Sequence, residues 1–178
     1  MTAADAGAAR DAEAARNAES GEPAAAAFVS AMAPLFAGAP RFLARLAAAA
    51  PFRDDDELFA RAREIAHAMP ETEQIELADA HPRLGAPSGT VSAMSYTEQG
   101  YDRGTGTPGN VAAELERLND AYEGRHGFRY CVFVAGRSRE ELLPGMAAAL
   151  DADRDTEIHR ALDAVVDIAI DRRAKLST

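Results

Sequence analysis

An all-α single domain of about seven to eight helices, with one short extended segment, is the fold this sequence predicts, and three observations predict it. Apolar residues recur at three- and four-residue spacing through most of the chain beyond residue 22. Helix boundaries are marked by residues that cap orphan backbone groups or forbid continuation. The extended apolar run "FRYCVFVAG", residues 128–136, is too short and too isolated to build a sheet.

Residues 1–22 are Ala-rich with small and polar residues and no large hydrophobe after Met1, so they are expected to form a disordered tail that adds nothing to a core. The helical domain is expected over 23–178. Its first segments, "AAAAFVSAMAPLF" and "PRFLARLAAAA", both read as helix. In "DDDELFARAREIAHAM", Leu58, Ala62, Ile65, Ala66 and Met69 share a face, while Asp54 to Asp56 offer N-caps and negative charge at the positive end of the macrodipole. A further helix starts after Pro70, with Glu71 and Glu73 in its first turn, and runs to about Ala80.

Residues 85–110 are loop-like, holding six of the thirteen glycines around the polar island "SYTEQ". Long loops in a compact domain are usually functional or disordered. Beyond them, "NVAAELERLNDAYEGRHG" is a helix ended by Gly127. Ser138 with Glu141 has capping-box spacing, and Pro144 is expected to kink or shorten the helix that follows. The last helix, about Asp155 to Lys175, lays Ile158, Leu162, Val165 and Ala169 in one stripe. At roughly 100° per residue Arg172 lies about 40° from Ile158, inside that stripe. Asp163, Asp167 and Asp171 lie opposite. Arg172 therefore either enters the core or a cleft, or snorkels from the helix end toward solvent.

At 178 residues, with 47% hydrophobic and 27% charged side chains, the chain can bury one core. Its formal charge of −10 disfavours nucleic acid and anionic membrane surfaces as partners. Any anion site must be built from specific arginines. Cys131 is the single cysteine, which excludes an intrachain disulfide and a thiolate metal cluster. The opening residues lack a secretory signal's apolar stretch, and no run approaches the roughly 18 apolar residues of a membrane span, so a cytoplasmic location is expected.

Chemistry concentrates at "ELADAHPRLG". Pro82 disfavours helix for the residue before it, so His81 sits at a helix exit beside the glycine-rich loop. Histidine has the side-chain pKa nearest neutrality, which suits proton transfer, although a helix-terminal histidine can simply favour the macrodipole. In "SYTEQ", Ser95, Glu98 and Gln99 converge at i, i+3 and i+4 if they form a helical turn. Ser95 with Glu98 is equally a capping-box pair. The four histidines show no H-E-x-x-H helix and no i, i+4 pair, which disfavours zinc, and no phosphate loop or nucleophile elbow is present.

The order of these pieces carries a resemblance. "AHPRLG", then "SYTEQ", then "RLNDAYEGRHGFRY", then a last helix ending "IAIDRRAKL" resembles the family of 2-oxo-4-hydroxy-4-carboxy-5-ureidoimidazoline (OHCU) decarboxylases of urate degradation, from about Ala26 to Leu176. "PFRDDDEL" is also similar to the family's segment before a helix. The resemblance implies that His81, Glu98 and Arg172 are catalytic, with Arg172 holding the substrate carboxylate. It implies that Pro82, Ser95 and Gln99 contact substrate, as do backbone groups of Tyr130, Cys131, Val132, Phe133 and Val134. A small anionic ureidoimidazoline is then the substrate, (S)-allantoin the product, and a homodimer the assembly. No cofactor or metal is implied, because the substrate's ring C=N can accept the electron pair that CO2 leaves behind. Three positions depart from the family: Arg83 stands where an acidic residue is common, His126 where Phe is usual and Arg129 where proline is common. These departures motivate a competing reading, a non-catalytic helical binding protein. A metal-dependent hydrolase using His81 and Glu98 is the third.

Overall fold

The structure is a computed structural model that describes residues 23–36, 38–87, 89, 92–99 and 108–176, excepting the side chains of Ala93 and Glu98. The predicted tail, 1–22, lies outside the described residues. Among these residues the chain forms eight helices and no strand: α1 (23–32), α2 (Pro40–Ala48), α3 (Asp55–Ala68), α4 (Glu71–Asp79), α5 (Ala93–Glu98), α6 (Gly109–His126), α7 (Arg139–Ala149) and α8 (Arg154–Leu176). The stretch 129–134 is extended but pairs with no neighbour as a strand.

The boundaries follow local chemistry. The Asp54 side chain accepts from the Glu57 amide and starts α3. Ser138 and Glu141 form the full capping box of α7. Gly127 ends α6 in the left-handed region, at φ 79°, where a residue without Cβ avoids strain. Two expectations need correction. The first segment is not helical throughout, because α1 stops at residue 32 and Ala33 to Phe36 turn before α2, as the restriction on residues preceding proline favours. Leu35 and Phe36 still reach the core from that turn. Pro144 does not shorten α7, which runs through it to Ala149.

The core centres on α8, which packs against α3 and α4, while α6 and α7 pair beside them. Ile158, Leu162, Val165 and Ala169 are buried as the stripe requires, joined by Ala161, Val166 and Ile168. Arg172 follows them inward and is only 3% exposed, so it does not snorkel. Asp163 and Asp167, on the other side, bind Arg63 at 2.7 and 2.8 Å.

The segment that leaves α4 is tied down at each step. Arg83 grips Glu123 and Asp120 of α6, Asn119 Nδ2 donates to the Leu84 carbonyl, and the Gly85 amide donates to Gln99 Oε1. Gly85 has φ +81°, and a Cβ there would lie 2.8 Å from Leu115 Cδ1. Gly85→Ala is therefore expected to destabilise the protein by about 1–2 kcal/mol from backbone strain, with the crowding added. Chemical denaturation checks this, and an unchanged midpoint would contradict it.

Candidate functional site

His81 reaches its place because α4 closes at Asp79, Ala80 makes the cap, and Pro82, without an N–H, turns the chain away. The imidazole is 7% exposed, and neither ring nitrogen has a hydrogen-bond partner. Burial and then the nearby positive charge of Arg172 disfavour its protonation, and the Leu77 carbonyl pulls only weakly the other way. Its pKa falls from 6.5 to about 4. At neutral pH the ring is an uncharged donor and acceptor facing a cavity.

That cavity has a volume of about 120 Å³. His81 and Pro82 form one side, Ser95 and Gln99 of the α5 region another, and Tyr130 to Val134 a third. Two predicted residues stand apart. Arg172 does not itself line the cavity: its Nη1 donates to the carbonyls of Pro34 and Leu35, at 3.3 and 3.0 Å, while its charge acts on His81. Glu98 is the last residue of α5, and its side chain lies outside the described residues.

The capping-box reading of Ser95 with Glu98 gives way to a different cap. Ser92 is the N-cap of α5, accepting from the Ser95 amide, and Ser95 is the third helical residue. Its side chain, 4% exposed, is left to the cavity and to a 3.1 Å contact with Ser92 Oγ. Gln99 turns both ends of its amide on the His81 exit loop, accepting from Gly85 and donating to the Arg83 carbonyl at 3.2 Å. It braces the loop as well as lining the cavity.

The extended wall is held by arginines. Arg160 Nη1 donates to the Cys131 carbonyl at 2.9 Å and stacks on the Tyr130 ring. Arg137 donates to the carbonyls of Phe133 and Val134, across a tight turn in which Ala135 and Gly136 both have positive φ. Each carbonyl keeps a second lone pair. Two guanidinium groups thus stand behind one wall of the cavity, Arg160 being paired with Glu157, in a protein of net charge −10. Lys175 also lines it, paired with Asp171 at 2.5 Å.

Among the lining residues that sequence reasoning missed are Thr97, Ile168, Asp171 and Lys175. Lys175 and Asp171 were legible as an i, i+4 pair near Arg172 on the last helix, and nothing in the sequence distinguished them from a solvated pair. The three family departures leave the cavity open. Arg83 binds α6, His126 is a core residue whose Nε2 lies 2.9 Å from the Ala149 carbonyl, and Arg129 binds the end of α4. Among the described residues no three His, Cys, Asp or Glu side chains cluster as a metal site, and no helix is long and apolar enough to cross a membrane. A larger open groove between α1, α2 and α3 is mainly apolar and contains no histidine.

The family model of OHCU decarboxylase matches residues 22–174. The chain is 32% identical over 135 residues to the uric acid degradation bifunctional protein PucL of Bacillus subtilis, across 75% of this chain and 27% of that protein. It is 28% identical over 125 residues to the 2-oxo-4-hydroxy-4-carboxy-5-ureidoimidazoline decarboxylase of Haloferax volcanii, across 70% and 74% of the two. The chain therefore spans about a quarter of the first relative and about three quarters of the second. A crystal structure of OHCU decarboxylase in the presence of (S)-allantoin superposes with a TM-score of 0.64 at 24% identity, covering 78% of this chain and 92% of that one. For a crystal structure of (S)-allantoin synthase the TM-score is 0.62 at 18% identity, covering 85% and 50%. At these identities the two structures establish a shared fold.

Proposed function

Because the chain belongs to the OHCU decarboxylase family, we propose that it catalyses cofactor-independent decarboxylation of 2-oxo-4-hydroxy-4-carboxy-5-ureidoimidazoline to (S)-allantoin, in the cavity beside His81. The observation that carries the reading is the buried, uncharged imidazole of His81, unpartnered at the cavity wall. A buried polar group without a partner lowers stability, and proton transfer gives it a reason to be there.

The reaction asks three things of the protein. The carbon–carboxylate bond breaks and CO2 departs, its electron pair forming a double bond to the adjacent ureido-bearing ring carbon as the C=N nitrogen takes up a proton. The enol hydroxyl then gives up its proton to become the ring carbonyl, and a proton is delivered to one face of the ureido-bearing carbon. Arg172 and the arginines behind the extended wall favour an anion in the cavity. The backbone of Tyr130 to Val134 offers amide groups to the ureido and ring amides. His81, with Glu98, manages the proton. Burial strengthens each of these interactions by removing water.

The non-catalytic alternative loses its motive, since Arg83, His126 and Arg129 are spent on the fold and none enters the cavity. We propose a cytoplasmic location and, as the resemblance implies, a homodimer; light scattering at twice the chain mass tests the assembly.

The proposal is tested with substrate carrying carbon-13 in its carboxylate, made fresh from urate with urate oxidase and hydroxyisourate hydrolase. Labelled CO2 should appear at a rate proportional to added protein, and a rate indifferent to protein would refute the activity. The pH profile is a second check, because kcat/KM reports ionisations of the free enzyme. Decarboxylation is expected to hold level from neutrality to about pH 5 and to fall around pH 4, where His81 protonates. A midpoint near 6.5 would show that the ring is solvated and contradict the site.

A further inference from the structure

The extended wall of the cavity begins one residue after Arg129, and Arg129 ties that wall to the end of α4 and the exit that carries His81. Its backbone amide donates to Asp79 Oδ1 at 2.8 Å. Its Nη1 donates to the Asp79 carbonyl at 2.7 Å and reaches the His81 carbonyl at 3.3 Å. The end of α4 lacks these groups on its own account. A helix's last carbonyls have no intrahelical partner and carry partial negative charge. The last turn of α4 has no basic residue and ends on a carboxylate, Asp79, which adds to that charge. Its cap, Ala80, is right-handed rather than a left-handed glycine that would close the carbonyls off, and Pro82 has no N–H to offer. Arg129 brings both the cation and the donors from a segment about fifty residues away in sequence.

The His81 ring makes no close hydrogen bond, only a weak attraction to the Leu77 carbonyl, so its direction is inherited chiefly from its backbone and its packing. We propose that Arg129 is a positioning residue for His81: by bonding the carbonyls of Asp79 and His81, it sets the imidazole in register with the substrate-facing backbone of Tyr130 to Val134. The inference rests on the reading of His81 as the proton-transfer group. Arg129 does not line the cavity and touches no reacting atom. Its amide bond to Asp79 survives side-chain replacement, so substitution isolates the guanidinium's two bonds.

Arg129→Met keeps a long apolar stem without donors, and Arg129→Lys restores a charged donor. In the methionine variant kcat should fall roughly 10- to 100-fold while KM changes less than about threefold, the pattern of a misplaced group rather than lost binding. The lysine variant should recover most of that loss. A methionine variant with unchanged kcat, whatever its Tm, would overturn the inference, as would equal losses in both variants. A readout independent of turnover separates this from failure of the proposed activity. The His81 ring proton resonance, assigned by its loss in His81→Asn, should be a single sharp line in the wild type and broadened or shifted in Arg129→Met. An unchanged line would overturn the inference even if the wild-type protein turned over no substrate.

Discussion

Replacing His81 with asparagine is expected to reduce kcat/KM for decarboxylation by at least about 100-fold, the range in which a positioned acid–base group acts, while leaving the fold intact. The two halves of this result have one cause. His81 is buried without a close hydrogen bond and with only a weak attraction to the Leu77 carbonyl, so the native state gains little specific bonding from it and loses little on substitution. Thermal stability near neutral pH should therefore be unchanged or slightly higher in His81→Asn. At acid pH the variants should separate further. The unfolded imidazole titrates near 6.5 and the folded one near 4, so between these values the unfolded chain binds more protons. Stability of the wild type is thus lost as pH falls from about 6.5 to about 4, by about 3 kcal/mol in total. His81→Asn lacks that loss, and denaturant titrations at pH 7 and pH 4.5 measure the difference. A variant that loses stability at neutral pH along with activity would recast His81 as a structural residue.

The second large effect is expected at Glu157, which does not line the cavity. Its carboxylate, 3% exposed in the first turn of α8, accepts from the Tyr122 hydroxyl at 2.8 Å and from Arg160 Nε at 2.9 and 3.1 Å. Arg160 in turn holds the Cys131 carbonyl and the Tyr130 ring. Burial, and then the hydrogen bond to Glu157, push the Tyr122 hydroxyl's pKa well up, which keeps it a donor. Glu157→Ala leaves a half-buried guanidinium and a buried hydroxyl without their shared acceptor, a defect that costs about 3–5 kcal/mol when one partner of a buried ion pair is removed. For a domain of this size that lowers Tm by roughly 6–20 °C. Glu157→Gln keeps one acceptor oxygen and should cost less than half as much. Glu157→Ala at under about 1 kcal/mol would show the network to be ornamental.

These two residues also mark the limits of what the sequence made legible. The last helix announced its apolar stripe, and Arg172 fell inside it on angle alone. His81 was legible because His-Pro at a helix exit constrains the backbone whatever surrounds it. Glu157 gave no such sign. An acidic residue in the first turn of a helix is the ordinary partner of the macrodipole, and its burial depends on Tyr122, 35 residues earlier. Arg160, three residues later, has the spacing of an ordinary solvated i, i+3 partner. The α5 cap was hidden for a different reason. Ser92 and Ser95 lie three residues apart, each can cap, and only tertiary placement shows that Ser92 caps while Ser95 faces the cavity. Arg129 was visible only as a departure, and its bonds to the end of α4 span about fifty residues.

What the sequence pattern and the folded chain share is a cavity whose walls come from three separated segments. His81 and Pro82, the α5 region, and Tyr130 to Val134 are brought together around one space, with Arg172 close enough for its charge to act on His81. A site of this kind needs every wall to be braced from outside. Arg83, Gln99 and Asn119 brace the first, and Arg137 and Arg160 brace the third.

The most direct measurement of the central claim is stereochemical. Spontaneous decay of the substrate has no chiral influence from the protein, whereas the proposed protonation inside the cavity would occur on one face. Circular dichroism of freshly generated substrate, followed with and without catalytic amounts of the protein, should show an (S)-allantoin signal that grows in proportion to protein concentration. Racemic allantoin appearing at the spontaneous rate in the presence of the folded wild-type protein would contradict the account.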